Sequence, residues 1–164
     1  MHLILLTHER ELAKKTNTGA LLCDPLPGVV VSRIEWARKN PNADLLNLID
    51  QRRVGLLYPS AEVAAHTSVL PSALATHGID TLILIDSTWQ EARKIYNRSA
   101  YLHELPRISL PLGLQSQFNL RRNQREGGLC TAECAALLMS EAGFRSAAQV
   151  VEQRFSKFLS EFGA

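Results

Sequence analysis

Asp86, Ser87, Thr88 and Trp89 place a carboxylate, two hydroxyls and an indole side by side. A carboxylate in that company can accept a proton or hold an ammonium group. The residues just before it, 82–85, are continuously apolar (Leu-Ile-Leu-Ile), which suits a strand buried on both faces. Just after it, Ser87 and Thr88 can cap a helix whose apolar positions are Trp89, Ala92, Ile95 and Tyr96. In open α/β sheets ligands sit beyond the carboxyl ends of strands, and Asp86 falls at such an end. A plain capped helix with Trp89 as a packing residue would look the same. Arg93, Lys94 and Arg98 on the same helix tip the balance toward binding an anion near that edge.

The elements that must position this stretch follow from the apolar spacing. The chain has 164 residues and is 46% hydrophobic, enough for one domain with its own core. Strands are expected at 2–6, 29–31, 54–58, 79–85 and 107–110. Helices are expected at 9–15, 43–51, 69–77 (with Pro71 in its first turn), 89–98 and 129–142. Residues 32–40 are polar and read as a segment with a helical turn, ended by Asn40-Pro41. Ser146 is expected to cap a last helix with Val151, Phe155, Phe158, Leu159 and Phe162 on one face. Strands alternating with helices predict a single α/β domain, its sheet largely parallel and covered by helices on both faces. No G-x-G-x-x-G follows a strand and no P-loop is present, so neither a dinucleotide fold nor an NTPase is supported.

Other features carry less chemistry. The net charge is only +2, but between Trp89 and Glu126 seven Arg/Lys stand against three Glu. That basic block suggests an anionic partner such as a nucleic acid, with a solvated surface run as the lesser alternative. Phe118 beside Arg121, Arg122 and Arg125 can stack a base while the arginines meet phosphates, or can anchor a loop to the core. Cys23, Cys130 and Cys134 have no disulfide or zinc-ligand spacing, so no metal is expected. His8 and Glu9 follow the first strand, where a histidine is either catalytic or a hydrogen-bonded structural residue. Gly19 supplies a positive φ or lets a ligand approach the backbone. Glu133 falls in a helix first turn, where the helix dipole favours a carboxylate. Residues 1–6 are too short an apolar run for a signal peptide, and no run reaches the ~20 apolar residues of a membrane span. A soluble cytoplasmic protein with no membrane partner is the expectation.

DSTW followed by QEARKIYNR resembles the signature of the DTW-domain family, the tRNA-uridine aminocarboxypropyltransferases. Three further segments agree in order: THERE with TNTGALL near the start, LYPS at 57–60, and LCTAECA at 129–135. Together they span about residues 2–140. Ser87 stands where the family more often has Gly, and Cys130 where it has Ser; both substitutions are small. Many relatives carry a cysteine-rich zinc ribbon ahead of the domain; this sequence opens on its first strand, so a single domain without that ribbon is expected.

The resemblance implies a SPOUT-like, knotted form of the α/β fold. It implies S-adenosylmethionine as donor, transfer of its 3-amino-3-carboxypropyl group to N3 of a uridine in tRNA, and release of methylthioadenosine. DNA is not an implied partner. A methyltransferase on the same fold, or a non-catalytic RNA-binding module, are the competing expectations. The sulfonium already makes the transferred carbon electrophilic, so orientation supplies much of the acceleration. The N3 proton must leave, which calls for a base or an anion stabiliser. Asp86 is the first candidate for that base, or for the carboxylate fixing the donor's ammonium or the uridine. Thr88 holds the donor or the turn, and Trp89 walls the pocket. The resemblance places the remaining donor site at Asn17, Thr18, Gly19, Tyr58, Pro59, Ser60, Leu110, Pro111, Thr131 and Glu133. Arg93, Lys94, Arg98, Arg121, Arg122 and Arg125 would take the tRNA backbone. At this level Asp86→Asn keeps the size of the side chain and one acceptor. It is expected to spare the fold and cut turnover by ~100-fold.

Overall fold

The computed structural model describes residues 1–57, 68–110 and 130–161. Six strands form one sheet: β1 (His2–Thr7), β2 (Val30–Glu35), β3 (Val54–Leu57), β4 (Ser68–Val69), β5 (Thr81–Asp86) and β6 (Arg107–Ile108). Their order is β2-β1-β5-β3-β6-β4, and every pairing is parallel. β1 and β5 are neighbouring interior strands and are apolar on both faces, as a doubly covered parallel sheet requires.

Alternation along β1 and β5 divides the core into two layers. Leu3, Leu5, Leu82 and Leu84 face α4 (Thr131–Glu141), α5 (Arg145–Glu161) and a 3-10 turn over Thr18–Leu22. Ala132, Ala135, Leu138 and Met139 of α4 and Ala148, Val151, Phe155 and Phe158 of α5 complete that layer. The small residues of α4 let it lie close to the sheet, and α5 covers both. Ile4, Leu6, Ile83 and Ile85 face the opposite layer, formed by α2 (Ala43–Asp50) and α3 (Trp89–Arg98). A short α1 (Glu9–Leu12) follows β1. Each fully buried Leu or Ile contributes about 1.5–3 kcal/mol.

The topology fixes where a ligand crevice opens. The chain leaving β1 runs outward to β2, while the chain leaving β5 runs the other way to β6, past β3. Connections that diverge from neighbouring strands create a switch point at their carboxyl ends. Here that point lies between Thr7-His8 and Asp86-Ser87, with Thr7 paired to Asp86.

Three elements differ from the sequence expectation. Residues 32–35 continue β2 instead of turning, because an edge strand with one side in solvent tolerates Ser32, Arg33 and Glu35. Residues 69–77 form no α-helix. Ser68–Val69 joins the sheet edge beside β6, and the chain then makes a 3-10 turn over Pro71–Ala73. Gly78, at φ +67°, turns the chain back toward β5. Ser146 lies inside the first turn of α5, which begins at Arg145, and so does not occupy the capping position. The apolar face expected of α5 is present, with Val151, Phe155 and Phe158 buried; Phe162 lies outside the described residues.

Candidate active site

Asp86 ends β5 and is only 1% exposed. Its carboxylate is the meeting point of four segments distant in sequence. Oδ1 accepts from Asn17 Nδ2 at 3.0 Å and from Thr131 Oγ1 at 2.9 Å. Oδ2 accepts from Thr7 Oγ1 at 3.2 Å, Asn17 Nδ2 at 3.1 Å and Arg33 Nη2 at 3.2 Å. Both oxygens are thus filled, and the charge is matched by the half-buried Arg33 guanidinium.

Asn17 extends the network. Its Nδ2 also donates to Glu11 Oε1 at 3.1 Å, and its Oδ1 accepts from Arg33 Nη2 at 2.7 Å and from the Ala20 amide at 2.9 Å. Asn17 therefore caps the 3-10 turn and bridges two buried carboxylates at once. Glu11 is fully buried and takes Lys14 Nζ at 2.8 Å. Two carboxylates and two cations make the group neutral overall, which suits its burial. Thr18 Oγ1 accepts the Ala132 amide at 3.1 Å, tying the same turn to the start of α4. Glu133 closes that start by accepting the Cys130 amide at 3.1 Å.

Gly19 has no positive φ; close approach is its reason. What approaches is the Asp86 carboxylate. A Cβ at position 19 would stand 2.4 Å from Asp86 Oδ2.

Thr88 is the N-cap of α3. Its Oγ1 accepts the Glu91 amide at 3.2 Å, and Glu91 Oε1 accepts the Thr88 amide at 3.2 Å, a complete capping box. Trp89 is the first residue of α3. Arg93, Lys94 and Arg98 are exposed on α3, on the face opposite buried Ala92, Ile95 and Tyr96. Leu110 is partly buried against the core layer under α4 and α5. Tyr58, Pro59, Ser60, Pro111, Phe118, Arg121, Arg122 and Arg125 lie outside the described residues.

The structure thus brings Asn17, Thr18, Gly19, Asp86, Thr131 and Glu133 together, and sets Thr88 on the neighbouring α3 start. Thr7, Glu11 and Arg33 belong to the same cluster; sequence reasoning named none of them as a site residue, although the first two lie in the family-like THERE segment. Their signal is tertiary: Thr7 faces Asp86 only through the β1–β5 register, and Arg33 reaches it from an edge strand. Burial, and secondarily the Glu133 carboxylate, pushes both the Cys130 and the Cys134 thiol up to about 12, so neither is a nucleophile near neutral pH. Among the described residues no three side chains gather to hold a metal ion, and no helix is long and apolar enough to cross a membrane.

A doubly covered parallel sheet with a polar cluster at its switch point defines an α/β domain of the kind that binds ligands beyond the carboxyl ends of its strands. The DTW domain model matches residues 1–162, and the chain belongs to that family. The chain is 32% identical over 150 residues to tRNA-uridine aminocarboxypropyltransferase 2 of Drosophila melanogaster, covering 87% of this chain and 58% of that protein. It is 28% identical over 144 residues to the protein of the same name from Macaca fascicularis, covering 85% of this chain and 47% of that one. For the Mus musculus protein of that name the identity is 27%, over 85% of this chain and 47% of the relative. The chain therefore spans about half the length of the curated relatives it matches. No solved structure matches it.

Proposed function

We propose that this domain transfers the 3-amino-3-carboxypropyl group of S-adenosylmethionine to N3 of a uridine in tRNA and releases methylthioadenosine. One observation carries the reading. The three family-like segments around Asn17–Gly19, Asp86–Trp89 and Thr131–Glu133 converge at the sheet's switch point, at or beside one carboxylate. The names of the relatives supply the reaction and the substrate class.

Within that reading Asp86 holds the crevice floor. Five hydrogen bonds and 1% exposure support a positioning role over a proton-accepting one. A saturated carboxylate would have to release a donor before it took the N3 proton or an ammonium group. Thr88 fixes the start of α3, and with it the place of Trp89. Asn17, Thr18, Gly19, Thr131 and Glu133 shape the donor side together with Tyr58, Pro59, Ser60, Leu110 and Pro111. Arg93, Lys94 and Arg98 on the exposed face of α3, with Arg121, Arg122 and Arg125, take the tRNA backbone.

Mass spectrometry of tRNA nucleosides after incubation with the chain and S-adenosylmethionine tests this. An aminocarboxypropyl-uridine with equimolar methylthioadenosine is expected. A methylated nucleoside with adenosylhomocysteine would make the domain a methyltransferase. Binding of tRNA with neither product would make it a binding module.

A further inference from the structure

We propose that His8 donates a hydrogen bond from Nε2 to a carbonyl oxygen of the target uracil. The proposal rests on the function above and adds a substrate-contacting residue to it. His8 is the first residue after β1, at the switch point, and its amide donates to the Asp86 carbonyl at 3.1 Å.

The backbone fixes which ring nitrogen is left to donate. Nδ1 accepts the Arg10 amide at 3.1 Å, which makes His8 the N-cap of α1. With Nδ1 occupied as an acceptor, Nε2 is the ring nitrogen that carries the N–H. Among the described residues Nε2 has no hydrogen-bond partner, and the side chain keeps 16% exposure. The ring is also fixed in place. It stacks on Trp36 at 6.2 Å between centroids and 24° between planes, and Trp36 Nε1 donates to Ser99 Oγ at 2.9 Å. Glu91 Oε2 stands 3.5 Å from Nδ1 on the α3 side. These neighbours hold the imidazole over the carboxyl edge, between the chain leaving β2 and the first turn of α3.

A fixed N–H donor there suits uracil better than the donor's carboxylate, which Glu91 would repel. In the transfer, N3 of the uridine forms the new bond to the side-chain methylene carbon next to sulfur (Cγ) of S-adenosylmethionine, and the bond from that carbon to sulfur breaks. The carbon–sulfur pair leaves on sulfur as methylthioadenosine, and the N3 proton passes to water. Charge builds on the uracil oxygens as that proton leaves, and a preorganised N–H at one of them lowers the barrier.

The test separates capping from donation. Asparagine is among the best N-caps, so His8→Asn keeps the cap and removes the Nε2 donor. His8→Gln returns an amide N–H at nearly the same reach. With the full chain, tRNA and S-adenosylmethionine, His8→Asn should lower kcat by ~100-fold at unchanged Tm and unchanged KM for the donor. His8→Gln should recover part of that loss. Should His8→Asn melt early, His8→Ser, another capping residue, takes its place in the same assay. Wild-type kcat in a folded cap-preserving variant would overturn the proposal, as would a raised donor KM with intact kcat, which would assign the ring to the donor's carboxylate. An inactive wild-type chain would overturn the proposed function and this inference with it.

Discussion

Asp86 and Gly19 are matched as a pair: a carboxylate with every lone pair used, and a residue with no side chain to crowd it. Asp86→Asn would point an amide N–H2 at groups that already donate, Asn17 Nδ2 and Thr131 Oγ1, and would strip Arg33 of its carboxylate. Breaking a buried ion pair from one side costs about 3–5 kcal/mol. Asp86→Asn is therefore expected to lower Tm sharply, with activity lost through the fold; an unchanged Tm with lost turnover would restore Asp86 as a proton acceptor. Gly19→Ala should cost about 1–3 kcal/mol through overpacking against the same carboxylate. A denaturant titration measures it, and the slope of the transition should stay the same.

At the scale of the element, α3 carries three functions on one short helix. Its buried face packs Ala92, Ile95 and Tyr96 under the sheet, and its start is closed by the Thr88–Glu91 box. Tyr96 also accepts a hydrogen bond from buried Arg107 of β6, whose guanidinium sits 4.5 Å over the ring, which ties α3 to β6. Thr88→Ala should cost about 1 kcal/mol from the lost cap, whereas Thr88→Ser should cost almost nothing. If Thr88 serves only as the cap, turnover will follow stability in both variants. A loss of turnover in the serine variant at normal Tm would instead place the threonine methyl against the substrate. The third function lies on the outer face. Changing Arg93, Lys94 and Arg98 to alanine should weaken tRNA binding and flatten its salt dependence by up to about one log–log unit per lost phosphate contact. Unchanged affinity would reduce that face to solvated surface.

Taken as a whole, the molecule carries a low net charge of +2, with its charge sorted by place. The buried cluster around Asp86 pairs its charges, Asp86 with Arg33 and Glu11 with Lys14. The partly buried thiols of Cys130 and Cys134 add a pH dependence at the alkaline end. Cys134 is raised from an ordinary 9.0 to about 12 by burial first and Glu133 second. Below pH 9 both folded and unfolded chains hold that proton and the stability from burial is complete. Between pH 9 and about 12 the unfolded chain releases it first, so stability falls as pH rises, by up to about 1.4 kcal/mol per pH unit for each such thiol. Thermal melts of Cys134→Ala across that window should show a shallower decline than the native chain.

Local pattern by itself determined much of this. The apolar run before Asp86 required a strand covered on both faces, and the hydroxyl after it required a helix start. Alternation of such units left a parallel sheet as the economical arrangement, with its ligand edge at the carboxyl ends. The weak points were segments whose fate depends on neighbours. Polar residues 32–35 became strand because an edge needs only one covered side, and residues 69–77 stayed out of helix because sheet pairing at Val69 competed with a short, Gly-terminated turn. What only the tertiary structure decided is the company Asp86 keeps. Thr7 is opposite it through a register that would fail if slipped by one residue, and Arg33 arrives from the next strand out. Asn17 and Thr131 come from turns far away in the chain. Hydrogen bonds across such separations leave no period or spacing in the sequence, because they depend on how the layers stack. For that reason the same Asp86 that reads as a reactive carboxylate in one dimension is a saturated one in three.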